Sequence, residues 1–225
     1  MAETQVQETS AQKMNAFLTK YRTVILAVCA LVVTVAVVVA VVVAVCAKRT
    51  EKGLARLDAI TYTLMQGASE LAGDDLVARR EAALSALTEL TGRGGIVGTR
   101  ANMLAADLYF QKADYAAARA AWIQAAETQK NAYTAPLAYY NAAAAAENAG
   151  DLDAALSYYQ LAADAEDFPL ADHARFSTGR VYEAKQDYAA AAAAYTKLND
   201  ERPDGDWASL AKTRLIALKA SGSID

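Results

Sequence analysis

Histidine, cysteine and proline are scarce in this sequence. Its 225 residues include one histidine, two cysteines and three prolines. His173 has no second histidine to act with, and Cys29 and Cys46 both lie in one apolar run. The remainder of the chain therefore cannot form a disulfide, a thiolate metal site or a catalytic Cys/His pair. The sequence predicts no enzymatic activity, no metal site and no cofactor.

An excess of positive charge is also missing. The chain carries 22 basic and 26 acidic residues, which gives a formal net charge of −4. A nucleic-acid surface needs a concentrated positive field. We therefore expect no nucleic-acid partner.

Two short segments lack the residues that ligand-binding loops need. Gly92–Gly98 (GRGGIVG) has neither the GK[ST] ending nor the preceding strand of a phosphate loop, so we interpret it as a flexible connector. Asp164, Glu166 and Asp167 are too few and wrongly spaced for a calcium loop. We interpret these three residues as a solvated helix end.

A long apolar run is present near the N-terminus. Residues Val24–Ala47 are apolar except for Thr34. A helix of this length reaches about 36 Å, enough to cross a hydrocarbon core of about 30 Å. The run is longer than the apolar region of a secretory signal, which favours an uncleaved transmembrane helix over 23–47. A lipid-modified cysteine is the minor alternative, but Cys29 and Cys46 each follow a valine.

The segment before the span, 1–22, is interpreted as a polar cytoplasmic tail with a juxtamembrane piece. Three basic residues precede the span and four follow it closely, so the positive-inside rule favours neither orientation. We place the N-terminus in the cytoplasm because the tail is short and the large domain follows the anchor. Within the span, Ala36, Ala40 and Ala44 recur every four residues, a spacing that lets helices pack closely. The alternative is a simple Val/Ala-rich anchor.

An internal repeat follows. Thr99–Ala132, Pro136–Pro169 and Asp172–Gly205 align on one another, with starts 37 and 36 residues apart. A fixed period of this size indicates a solenoid. The three prolines fall where helices should begin or end, so the sequence predicts an all-α domain.

Four positions of the repeat have a clear physical role. Position 8 is small, position 16 is an aspartate that can cap the second helix, position 20 is alanine and position 24 is a large ring. In repeat order, these residues are Ala106, Ala143, Gly179; Asp114, Asp151, Asp187; Ala118, Ala155, Ala191; and Trp122, Tyr159, Tyr195. Small residues at positions 8 and 20 let the two helices of a repeat approach closely.

Two flanking regions complete the predicted solenoid. Residues 48–98 are predicted to form a degenerate helix pair, Gly53–Leu71 and Asp75–Leu90, with Asp74 or Asp75 as the cap of the second helix. Residues 99–205 hold the three repeats, and 206–225 form a C-terminal capping helix. No breaker separates the span from the first helix of the pair before Gly53.

The repeat resembles the tetratricopeptide repeat (TPR), a helix–turn–helix of 34 residues. It departs from that family at position 4, which is Asn102, Tyr139 and Arg175 rather than tryptophan. The resemblance implies a right-handed helical solenoid whose inner helices line a concave groove for a protein or peptide. Carried over by position, the groove residues are Arg100, Met103, Asp107, Phe110, Gln111, Tyr140, Glu147, Asn148, His173, Phe176, Arg180 and Glu183.

The groove residues also have a simpler interpretation as ordinary helix-surface residues. Phe110, Tyr140 and Phe176 favour a groove, because three aromatics on one face would form an apolar patch. The two-carboxylate clamp of chaperone-binding TPR proteins is not matched, since only Asn141 agrees with it and Met103, Asp107, His173 and Ser177 do not. A receptor for chaperone tails is therefore disfavoured.

The order of tail, span and alanine-rich repeats is similar to the single-span ancillary subunit of the bacterial Sec translocon. That resemblance implies the bacterial inner membrane, a periplasmic C-terminal domain, and secreted chains or periplasmic chaperones as partners. We expect a membrane-anchored protein-interaction scaffold. The alternative is a structural envelope protein that self-associates and binds no client.

Overall fold

The structure, a computed structural model, describes residues 9–225. The chain divides into an N-terminal unit, Met1–Lys52, and a C-terminal unit, Gly53–Asp225. The first eight residues of the predicted tail lie outside the described range, whereas 10–22 are helical.

The first helix, α1, spans Ser10–Met65. Neither proline nor glycine occurs between Ser10 and Lys52, so nothing in that stretch breaks the helix. Thr34 satisfies its hydroxyl within the apolar run by donating to the carbonyl of Ala30 at 2.8 Å. By length and composition this helix can cross a membrane, and none of its most apolar stretch is buried. A signal sequence near the N-terminus would meet the same criterion.

The C-terminal unit is helical throughout, and its helices pack in a row, each against the next along the chain. A short 3₁₀ turn, Ala68–Glu70, follows α1. The later helices are α2 Asp74–Thr91, α3 Gly95–Gln111, α4 Tyr115–Thr128, α5 Ala135–Asn148, α6 Leu152–Ala163, α7 Ala171–Ala184, α8 Tyr188–Glu201 and α9 Asp206–Ala220. The predicted all-α class, with one long apolar helix followed by a TPR-like helical solenoid, is confirmed.

Aspartates start the second helix of each repeat, as predicted. The carboxylates of Asp114, Asp151 and Asp187 each accept a hydrogen bond at 3.1 Å from the backbone N–H three residues later. Each contact satisfies one of the unpaired N–H groups at a helix start. The expected cap of α2 was wrong. Its N-cap is Gly73, and Asp74 and Asp75 lie in the first turn, where their charge complements the helix dipole without a side-chain cap.

Small side chains bring the two helices of a repeat together. Ala118, Ala155 and Ala191 are fully buried. In the third repeat a Cβ added to Gly179 would overlap the ring of Tyr195, which is itself fully buried. The position-24 rings therefore fill the core through contact with a neighbour that has little or no side chain.

The glycine-rich segment is not a flexible connector. Helix α3 begins at Gly95, so only the first half of Gly92–Gly98 links two helices. Gly98 lies in α3 against the backbone of Arg93, and a Cβ there would overlap the Arg93 carbonyl. The absence of a side chain at Gly98 therefore lets the backbone of α3 lie close to the backbone of Arg93.

Helix α9 closes the row. Leu218 is buried with Tyr195 and Leu198, and Leu215 and Trp207 pack against the same cluster. Two large apolar residues of the predicted capping helix face solvent: Leu210 is 47% exposed and Ile216 is 69% exposed.

Candidate functional site

Four helices carry the predicted groove residues and the residues that join them. We call α3, α5, α7 and α9 the A-helices, because the first three open a repeat and α9 occupies the same place after the third. Side-chain contacts link α5 to α7 and α7 to α9, at intervals of about one repeat.

Four rings from three successive A-helices form what we call the aromatic cluster: Tyr140, His173, Phe176 and Trp207. The hydroxyl of Tyr140 lies 2.9 Å from Nδ1 of His173. The His173 and Trp207 rings stack with centroids 3.7 Å apart, and Phe176 lies 5.3 Å from Trp207. All four residues are only partly buried, so the cluster keeps an accessible edge.

Both polar members of the aromatic cluster are held in their neutral forms at neutral pH. Burial lowers the pKa of His173, and the positive charge of Arg180 lowers it further. Burial also raises the pKa of Tyr140. A neutral imidazole and a neutral phenol leave this surface uncharged and predominantly apolar.

An ion-pair ladder runs beside the cluster. Its first step joins α5 to α7: Arg180 binds Glu147 through two nitrogens, one of them 2.7 Å from Oε2. The hydroxyl of Tyr159 donates to the same carboxylate at 3.2 Å. The Glu147 side chain is only 19% exposed, so these partners replace much of its contact with water.

The second step repeats the arrangement between α7 and α9. Arg214 binds Glu183 through two nitrogens, with Nε 3.0 Å from Oε1, and Tyr195 donates to Oε1 at 2.6 Å. Burial acts to raise the pKa of Glu183, but the hydrogen bonds from Arg214 and Tyr195 lower it below its ordinary value. Burial and the contact with Glu183 raise the pKa of Tyr195.

The N-terminal part of the A-helix row has a different chemistry. An open pocket of about 360 Å³ lies there, between the end of α1, α3 and the residues before α5. Its lining includes Leu57, Ile96, Met103, Leu104 and Tyr133, together with the charged residues Arg100 and Asp107. Arg100 is paired with Asp58 at 3.2 Å.

The remaining predicted groove residues do not join these groups. Phe110 packs edge-on against Tyr115 at a centroid distance of 5.2 Å, so it is not part of the aromatic cluster. Gln111 and Asn148 are exposed near the ends of their helices. Asn148 donates to its own helix at Ala144.

Several residues of the site were missed by sequence reasoning. Trp207 and Arg214 lie 34 positions after His173 and Arg180, which is one further TPR-length step. Continuing the register past the third repeat would have found both. Tyr133, which is 91% exposed at the pocket, precedes α5 and carries no repeat signal.

Within residues 9–225, no group of three or more His, Cys, Asp and Glu side chains is placed to hold a metal ion. The ring of His173 contacts the Tyr140 hydroxyl and stacks on Trp207.

In α1, the predicted packing residues Ala36, Ala40 and Ala44 are exposed in the N-terminal unit.

Comparison with known proteins supports the repeat resemblance. No family model matches the chain. The chain is similar to a TPR repeat-containing protein of Treponema pallidum (strain Nichols), with 35% identity over 153 residues. The match covers 67% of this chain and 64% of that relative, so the chain spans less than two thirds of the relative's length.

Proposed function

We propose that this protein is a membrane-anchored interaction module that holds a segment of a partner protein along its A-helices. The aromatic cluster carries the proposal. Its four partly buried rings come from three successive A-helices and form one neutral surface. Rings offer a large contact area with little rotamer entropy to lose, which suits an anchor for an extended or helical segment.

The ladder supports the same proposal by fixing the surface before the partner arrives. Arg180 ties α7 to α5 and Arg214 ties α9 to α7, so the spacing of Tyr140, His173 and Trp207 is set in the unbound protein. Preorganisation of this kind reduces the entropy lost on binding.

The apolar helix indicates where the module acts. We propose that α1 anchors the chain in the bacterial inner membrane, with its N-terminus in the cytoplasm and the C-terminal unit in the periplasm. A layout similar to the Sec ancillary subunit favours secreted chains or periplasmic chaperones as partners. The second candidate is self-association through Ala36, Ala40 and Ala44 of the span, with no client.

The partner proposal is tested by crosslinking the full-length protein in native membranes and purifying it in mild detergent. Variants Phe176→Ala and Trp207→Ala should recover less partner, because loss of a ring anchor costs on the order of 1–3 kcal/mol, or about fivefold to a hundredfold in affinity. Leu161→Ala is the control, since Leu161 is 51% exposed and lies on α6, which is not an A-helix. Recovery of this chain alone would favour self-association, and equal recovery by all variants would contradict the aromatic anchor.

The orientation is tested on spheroplasts. Added protease should digest the C-terminal unit and spare an epitope tag at the N-terminus. The mass of the membrane-bound protein should include residues 24–47, because a cleaved signal would remove them. Protection of the C-terminal unit would contradict the proposed topology.

A further inference from the structure

The pocket at the N-terminal end of the A-helix row contains an uncompensated carboxylate. The Asp107 carboxylate makes no hydrogen bond or ion pair with any residue between 9 and 225, although it lines a pocket with Met103 and Leu104. The neighbouring cation, Arg100, is engaged by Asp58. Asp107 is exposed at the surface, and desolvation by the surrounding atoms raises the pKa of its carboxyl above the ordinary value.

The repeat register shows how unusual this carboxylate is. Asp107 is position 9 of the first repeat, and the same position of the third repeat is Arg180, a cation of the ladder. The following A-helix places Arg214 in that register. The first repeat therefore has a charge of opposite sign where the later helices carry an arginine, and no internal partner neutralises it.

We infer that this pocket receives a lysine or arginine side chain of the bound partner segment, with Asp107 contacting the cation. Ile96, Met103 and Tyr133 would pack against the aliphatic stem and the residues beside it. Charge complementarity selects this occupant, since an apolar wall next to a single unpaired carboxylate matches a side chain with an apolar stem and a cationic end. The inference rests on the proposed function and names the chemistry of the partner.

The test uses the full-length protein in detergent micelles and three fluorescent ten-residue peptide pools. The pools share degenerate apolar flanks and differ only in a fixed central residue: lysine, glutamine or glutamate. Wild-type protein should bind the lysine pool about fivefold more tightly than the glutamine pool, as expected for one partly desolvated ion pair. The glutamate pool should bind most weakly.

Two substitutions separate charge from shape. Asp107→Asn should remove the preference for lysine over glutamine while keeping the affinity for the glutamine pool. Asp107→Lys should turn the preference toward glutamate. The control is Asp200→Asn, which makes the same chemical change at an exposed residue of α8 and should leave the lysine preference unchanged. Thermal melting of Asp107→Asn at neutral pH should match or exceed the wild type, because the substitution removes a carboxylate whose ionised form is disfavoured by folding.

Each outcome separates this inference from the proposed function. Equal binding of the lysine and glutamine pools, or a lysine preference that survives Asp107→Asn, would overturn the cation site. If Trp207→Ala still weakens the glutamine pool in that case, the aromatic groove stands without the cation site. If no pool binds above background, both the groove and the cation site are refuted.

Discussion

The ion pair between Arg214 and Glu183, the second step of the ladder, allows the contribution of charge to stability to be measured apart from that of packing. The substitution is Arg214→Met, which keeps most of the aliphatic stem and removes the guanidinium. Glu183 would still accept a hydrogen bond from the hydroxyl of Tyr195 at 2.6 Å. Its side chain is 11% exposed whereas that of Arg214 is 48% exposed, so solvent screens only one end of the pair.

The expected loss lies between the values for exposed and buried ion pairs. An exposed pair contributes at most about 1 kcal/mol, whereas an unpaired buried charge costs about 3–5 kcal/mol. Because half of the arginine reaches solvent, we expect Arg214→Met to lower the free energy of unfolding by about 1–2 kcal/mol at pH 7. For a unit of this size the shift in Tm is about 3–6 °C.

The pH dependence follows from the direction of the pKa shift. Folding lowers the pKa of Glu183, so the folded state favours the ionised carboxyl. That contribution to stability is present above the unfolded pKa, about 4.3, and is lost as the pH falls through the lower folded value. The difference between wild type and Arg214→Met should therefore be large at pH 7 and shrink as the solution is acidified below that range.

Unfolding of the full-length protein in micelles, followed by circular dichroism at several pH values, measures this difference. Lys197→Met is the control, because Lys197 is 71% exposed and 3.8 Å from Glu201, and its loss should be below about 0.5 kcal/mol. A loss for Arg214→Met that stays constant down to pH 3 would show that packing of the stem, and not the charge, stabilises the fold. No loss at pH 7 would refute the reasoning entirely.

Two further substitutions test the packing of the repeats. Gly179→Ala should destabilise the protein by about 1–3 kcal/mol, since its Cβ would overlap the Tyr195 ring, whereas Gly92→Ala should be nearly neutral because nothing lies within 4 Å of its added Cβ. Thermal melting checks both, and equal effects would contradict the close approach. Trp122→Ala, which truncates a ring that is 4% exposed, should cost about 3–5 kcal/mol, clearly more than Phe176→Ala. If Phe176→Ala unfolds the protein as severely, its ring is part of the core and not an anchor.

The fold could be predicted from the sequence where a residue acts within its own repeat. Asp151 and Asp187 cap helices that begin at the next residue, and Tyr159 and Tyr195 fill the core against small partners of the same hairpin. These interactions recur with the period of the chain, so one alignment exposes them. The error at Gly98 arose because a glycine-rich stretch looks the same in sequence whether it is flexible or tightly packed.

The candidate site was less predictable because it depends on contacts between repeats. Glu147 and Arg180 were both predicted as groove residues, yet their pairing requires the relative phase of α5 and α7, which the sequence does not state. Phe110 was grouped with Tyr140 and Phe176 as an inner aromatic, but it occupies position 12 while they occupy position 5. The structure accordingly places it against Tyr115.

The departures from the repeat fall where partner recognition is proposed. At the step between the first and second repeats, the ladder positions hold Phe110 and Ala144, so no ion pair can form there. The arginines of the later helices neutralise their neighbours, and those positions have no charge left for a partner. Among the described residues of the A-helices, Asp107 places a carboxylate without an internal counter-charge beside the apolar wall of the N-terminal pocket. A position that departs from the repeat pattern and has no internal partner is where selection for binding is expected to act. The A-helix row therefore combines a C-terminal part whose charges are paired internally with an N-terminal pocket for which we propose a counter-charge from the partner.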